Sequence, residues 1–179
     1  MLKKNESVFQ TAVAGLLAGD FSRLAPLFAD DAPDAGQRCA IIEWYEQGLF
    51  ANKPKALAEA LTCACFNGCA TVAVTLLKHG VNAEAGNGTG LNALHWAANR
   101  GQLAVVRLLL QHRTPLETRN MYGGTVLSAT VWAAFHEPRA EHLQIIEALL
   151  DAGARVDAVE YPTGKPQLDE LLRRHGAVA

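Results

Sequence analysis

Residues 90–114 read GLNALHWAANRGQLAVVRLLLQHRT, and this stretch decides the fold. A tight turn at Gly90 opens it, and a short alanine-rich run with helical spacing follows as far as Arg100. Gly101 then breaks the run, and a second apolar run closes in Leu108, Leu109 and Leu110. A helix with such a leucine stripe carries more apolar surface than one partner helix can cover, so the pair needs a neighbour to stack on.

The neighbours are present in the same chain. A shift of 33 residues towards the amino terminus pairs Leu94 with Leu61, Ala97 with Ala64, Gly101 with Gly68, Val105 with Val72, Leu109 with Leu76 and Leu110 with Leu77. The opposite shift pairs Asn87 with Asn120, Gly90 with Gly123 and Leu94 with Leu127. A single period that works in both directions marks a repeat array. Small residues at Ala64, Ala97 and Ala98 let adjacent helix pairs approach closely. Glycine at 68, 101 and 153 suits reversals at helix ends, and Asn92 and Thr125 stand where a helix N-cap belongs.

The copies resemble ankyrin repeats, whose pattern is D-x-x-G-x-T-P-L-H-x-A-A, a glycine, and a second helix closing in L-L-x-x-G-A. The best copy has Asn87-Gly88-Thr89-Gly90, Asn92-Ala93-Leu94-His95, Ala97-Ala98, Gly101 and Leu108-Leu109-Leu110. The third has Gly123, Thr125, Val126, Leu127, Leu149-Leu150 and Gly153-Ala154, and the first has Leu61, Ala64, Gly68, Leu76-Leu77 and Gly80. The resemblance implies an all-α solenoid of stacked helix-turn-helix units with short hairpin loops. Arg113 replaces the usual glycine and Asn92-Ala93 replaces threonine-proline. Arg113 and Gly153 are 40 residues apart rather than 33, so seven extra residues are expected between Ala129 and Leu143, lengthening a helix up to Pro138.

One domain is expected over residues 1–179: a divergent first repeat (5–32), a helical insert (33–53), three repeats (54–86, 87–119 and 120–159, the last with the insertion) and a carboxy-terminal cap (160–179). Leu27 and Phe28 stand for the leucine pair in the divergent repeat. In the insert, Ile41, Ile42, Tyr45 and Leu49 share one helical face. In the cap, Leu171 and Leu172 point inward while Asp169, Glu170, Arg173 and Arg174 meet water, as a terminal unit requires.

Composition excludes several classes. Half the 179 residues are hydrophobic and 19% are charged, which is enough apolar material for a core. The net charge of −2, with no basic cluster, argues against a nucleic-acid partner. The long apolar stretch 56–77 is broken by Glu59, Asn67 and Gly68, so no membrane span is expected. MLKKNESVFQ is not a secretory signal, and reduced thiols in a cytoplasmic protein are expected.

Residues with chemistry have structural readings. Cys63 and Cys65 diverge by about 200° on a helix, and with Cys69 they lack a histidine at ligand spacing, so no metal is expected. His79, His112 and His175 fall at helix ends, where a positive charge favours the dipole. His95 holds the position whose imidazole, by the resemblance, bonds loop backbone. Asp30, Asp31 and Asp34 read as a solvated connector. No nucleophile elbow, phosphate loop or zinc-protease motif is present, and neither catalytic residues nor a cofactor are expected.

The resemblance puts function on the surface, in a concave groove lined by hairpin tips and the exposed side of the first helices. The partner-binding positions carried over are Phe66, Asn67, Thr89, Leu91, Asn99, Arg100, Met121, Tyr122 and Trp132, with Gly88 and Gly124 also at tips. Aromatic residues, methionine and arginine are the composition of interface hot spots. Trp96 reads as a wedge between repeats. The expectation is a non-catalytic protein-binding module, an inhibitor or immunity-type protein being one form of it. The alternative is a scaffold or self-associating subunit. The partner is an unidentified protein, and a monomer is favoured.

Overall fold

The computed structural model describes residues 2–28, 39–84 and 89–178, with side chains from Glu6 onward. Asp30, Asp31, Asp34, Asn87 and Gly88 lie outside the described residues. The chain opens with α1 (Leu2–Ala18), α2 (Phe21–Leu24) with a 3-10 turn, and α3 (Ala40–Glu46). Three helix pairs follow: α4 (Pro54–Asn67) with α5 (Ala70–Lys78), α6 (Ala93–Asn99) with α7 (Leu103–Gln111), and α8 (Val126–His136) with α9 (His142–Asp151). A last 3-10 turn (Val156–Ala158) and α10 (Pro166–Arg174) complete it. No strand occurs among the described residues, and the expected all-α repeat fold is the one formed.

The first helices stack in the order α4, α6, α8, and the second helices in the order α5, α7, α9. Leu61, Leu94 and Leu127 lie between the first helices, and Leu76, Leu109 and Leu149 between the second; each is 0% exposed. Burying one leucine is worth about 1.5–3 kcal/mol, and every interface in the stack gains from several. The stack therefore stabilises helices of seven to fourteen residues that would be marginal alone.

Helix ends repeat one hydrogen-bonding scheme. The Cys69 N–H donates to the Ala64 carbonyl and the Gln102 N–H to that of Ala97, each at 2.9 Å. Gly68 and Gly101 make both turns possible with φ of 76°. At the ends of the second helices, Val81, Thr114 and Ala154 donate back to Leu76, Leu109 and Leu149. The left-handed residue of that turn is Gly80 and Gly153 in two copies, but Arg113, at φ 55°, in the middle one.

The seven extra residues add a turn to α8, which has eleven residues against seven in α6, and then form a loop that His142 ties down. Its Nδ1 accepts from the Arg139 N–H at 3.2 Å, so Nε2 carries the proton and donates to the Asn99 carbonyl at 3.1 Å. This bond fastens the loop to the end of α6.

At the amino end α1 lies on α4 and α3 on α5. Phe9 meets Trp44 and Phe50 edge-on at 5.3 and 5.1 Å, so the insert helix packs on the array. Its buried face differs from the expected one. Ile41 and Trp44 are buried within α3, while Ile42 and Tyr45 are half-buried. The helix ends at Glu46, and Gly48 at φ 73° turns the chain. Leu49 is thereby left 38% exposed, and Phe50 fills the core instead.

Glu59, Asn92 and Thr125 sit on one rung, 33 residues apart. Asn92 and Thr125 cap α6 and α8 by accepting from the N–H of His95 and Ser128. Glycines precede both caps (Gly90; Gly123 and Gly124), so neither helix can start earlier. Before Glu59 stand Pro54 and a run of good helix formers, so α4 begins five residues ahead of the rung. Glu59 is left mid-helix, 6% exposed, with Oε2 unpartnered.

Candidate functional site

The expected partner-binding side is built by the first helices and the hairpins before them. Phe66, Asn99 and Trp132 recur on α4, α6 and α8 at the 33-residue interval. The third hairpin is closed by Asn120, whose Oδ1 accepts from the N–H of Tyr122 and Gly124, both at 3.0 Å. Arg119 donates to the Gly123 carbonyl at 2.7 Å, and the Met121 N–H donates to the Thr89 carbonyl at 2.9 Å, locking this tip to the second. The tips pass so closely at Gly90 that a Cβ there would lie 3.2 Å from the Asn120 Cα, and its φ of 68° independently favours glycine. This rigid tip presents Met121 and Tyr122, 62% and 81% exposed.

Between tip and helices lies a cavity of about 620 Å³, walled by Leu91, Asn99, Tyr122, Ser128 and Trp132 among others. Trp132 is 57% exposed, and its ring stacks on His136 at 4.2 Å. The His136 Nδ1–H donates to the Trp132 carbonyl at 2.8 Å, which holds the stack in place. Beyond Trp132 a second cavity, about 440 Å³, is walled by Phe135, His136, Val159, Glu160 and Pro162.

Four of the expected site residues (Leu91, Asn99, Tyr122 and Trp132) thus share one cavity. Met121 and Thr89 stand at its rim, joined by their backbone bond. Phe66 and Arg100 belong to a separate cluster nearer the amino end. There the guanidinium lies 4.6 Å over the Phe66 ring, and Phe66 meets Phe21 and Trp96 edge-on. Trp96 is half-buried in that cluster, with its Nε1 unpartnered. The Asn67 amide is committed to the fold, donating to the Phe21 and Cys63 carbonyls. Phe135, His136 and Glu160 were absent from the sequence reading. Phe135 stands three residues beyond Trp132, a spacing that puts both on one face of a lengthened helix.

The buried titratable groups are poor reagents. Burial, with Cys69 as a further cause, pushes the Cys63 and Cys65 thiols up, away from the reactive thiolate. Burial also pushes the Glu59 carboxyl up to about 7. His95 donates from Nδ1 to Asn92 Oδ1 at 2.9 Å, and burial lowers its pKa. The Gly124 carbonyl opposes that shift, since it could accept from a protonated Nε2 that now has no partner. No group of three metal-ligating side chains comes together among the described residues, and no described helix is long and apolar enough to cross a membrane.

A family model described as ankyrin repeats, three copies long, matches residues 61–160. That span covers all three helix pairs from Leu61 on and more than half of the chain. Ankyrin repeats are generally protein–protein interaction modules and are typically non-catalytic. With the period, the stacked helix pairs and this match in agreement, the chain belongs to the ankyrin repeat family.

Proposed function

We propose that this chain is a non-catalytic module that grips a partner protein in its concave groove, with Tyr122 and Trp132 as the main anchors. The observation that carries the reading is their placement. Two large aromatic side chains, 81% and 57% exposed, face one cavity, Tyr122 from a hairpin held rigid by Asn120 and Trp132 from α8. Exposed aromatics on a preorganised frame lose little entropy on binding, as hot spots require. Covering an enzyme or toxin as an inhibitor or immunity-type protein is one form such capture takes. Cys63 and Cys65 stand as buried thiols rather than a disulfide, which supports a cytoplasmic setting.

The test is affinity capture from the native cell, comparing the parent chain with Tyr122→Ala/Trp132→Ala. Both side chains are exposed, so the melting temperature should stay within a few degrees while the partner is lost. Capture that survives the double change would remove the groove from consideration. Light scattering separates the alternative, a self-associating subunit: a dimer broken by the same double change would favour it.

A further inference from the structure

We infer that the groove takes an amphipathic helix in one direction, with a basic side chain beside Glu160 and an apolar one beside Tyr122. This rests on the groove reading and adds the chemistry of the occupant.

The two cavities share the Trp132 and Ser128 wall but differ in lining. The one beside Tyr122 contains no charged group, so a charge placed there would be desolvated without a partner and an apolar side chain is favoured. The one beyond Trp132 contains a carboxylate among aromatic rings. Glu160 is exposed and makes no hydrogen bond or ion pair among the described residues. A carboxylate beside the rings of Trp132 and Phe135 suits a cation. The Lys165 ammonium is already held: it donates to the Ala134 carbonyl at 3.0 Å and sits 4.0 Å from the centre of the Phe135 ring.

The walls also favour a helix over an extended segment. An extended peptide must find partners for its own N–H and C=O groups. The polar groups here offer an extended chain little: Asn120 Oδ1 is spent on two backbone N–H groups and the Ser128 hydroxyl on the Thr125 carbonyl, while Asn99 Oδ1, which has no partner, is itself buried. A helix satisfies its backbone internally and presents side chains alone. Stacked helices lie about 8–10 Å apart, and seven residues of helix rise about 10.5 Å, so side chains seven apart would reach both cavities. Charge sets the direction. Arg100 stands at the far end of the groove, over Phe66 and without an ion pair among the described residues. The positive amino end of the incoming helix belongs near Glu160 and its negative carboxyl end near Arg100.

The test uses the full chain and labelled alanine-rich peptides of about 24 residues, followed by fluorescence anisotropy. The forward peptide carries an arginine, a leucine seven residues later and a glutamate seven further on; the others carry the reverse order, or a central proline. Forward binding at least ten-fold tighter than either is expected. Glu160→Gln should weaken the forward peptide about five-fold and leave one with norleucine for arginine unaffected. Equal binding of both orders, tighter binding of the proline peptide, or no forward binding below about 1 mM would overturn the inference. Loss of cellular capture in Tyr122→Ala/Trp132→Ala would still uphold the groove in that case, so the two failures are distinguishable.

Discussion

Replacing Glu59 by glutamine should remove a pH dependence of stability whose size follows from the rung it occupies. In the folded chain the carboxyl is 6% exposed, and burial raises its pKa from 4.5 to about 7. Well below pH 4.5 it is protonated whether the chain is folded or not. Between pH 4.5 and about 7 the unfolded chain ionises first. It then binds fewer protons than the folded chain, so stability falls as pH rises. Above about pH 7 the folded carboxyl ionises too and the loss is complete. At about 1.36 kcal/mol per pH unit the separation caps the loss near 3 kcal/mol. Local relaxation and water entry reduce it, and about 1–2 kcal/mol is expected. Glu59→Gln should therefore match the parent near pH 4 and exceed it by that amount near pH 8, or by about 2–8 °C in melting temperature. Denaturant titrations followed by circular dichroism at several pH values measure this. His95, whose pKa burial depresses, gives a slope of opposite sign below about pH 6.5, so the difference between variant and parent is the informative quantity. A difference that stays constant with pH, or a variant weaker than the parent near pH 8, would refute the buried, unpartnered carboxylate.

Three further changes probe the frame. Leu109→Ala empties a site with 0% exposure between second helices and should cost about 2–5 kcal/mol; an unchanged denaturation midpoint would contradict its burial. Arg113→Gly relieves a left-handed backbone at φ 55°. That relief is worth about 1–2 kcal/mol against about 0.5–1 kcal/mol of added chain entropy. A net gain of about 0.5–1 kcal/mol is expected by denaturant titration, and a loss would mean that the side chain contributes more than the strain. Gly90→Ala drives a Cβ to 3.2 Å from the Asn120 backbone and should destabilise by about 1–3 kcal/mol. Proteolysis near residue 120 should quicken with it, and unchanged cleavage would deny the contact between tips.

Most of the frame was legible because it is written periodically. The interval linking Leu61, Leu94 and Leu127 places three side chains at equivalent depths, and each is fully buried. The interval also links Asn99 to Trp132 despite the insertion, because the added turn of α8 follows Trp132 rather than preceding it. Irregular parts had no period to read. Trp44 and Phe50 enter the core through contacts with Phe9, distant in sequence, and no helical wheel of the insert alone shows that. Beside Trp132, Glu160 comes from the segment after the last 3-10 turn and meets α8 only in three dimensions. Asn67 shares its place in the repeat with Arg100, yet its amide bonds the Phe21 carbonyl, a contact specific to the divergent first helices.

Hydrogen–deuterium exchange on the chain with its captured partner tests the central claim most directly. Protection gained on binding is expected at residues 119–124 and along α8, with none added on the outer faces of α7 and α9. Protection confined to those second helices, with the Tyr122 tip exchanging as it does in the free chain, would contradict the groove.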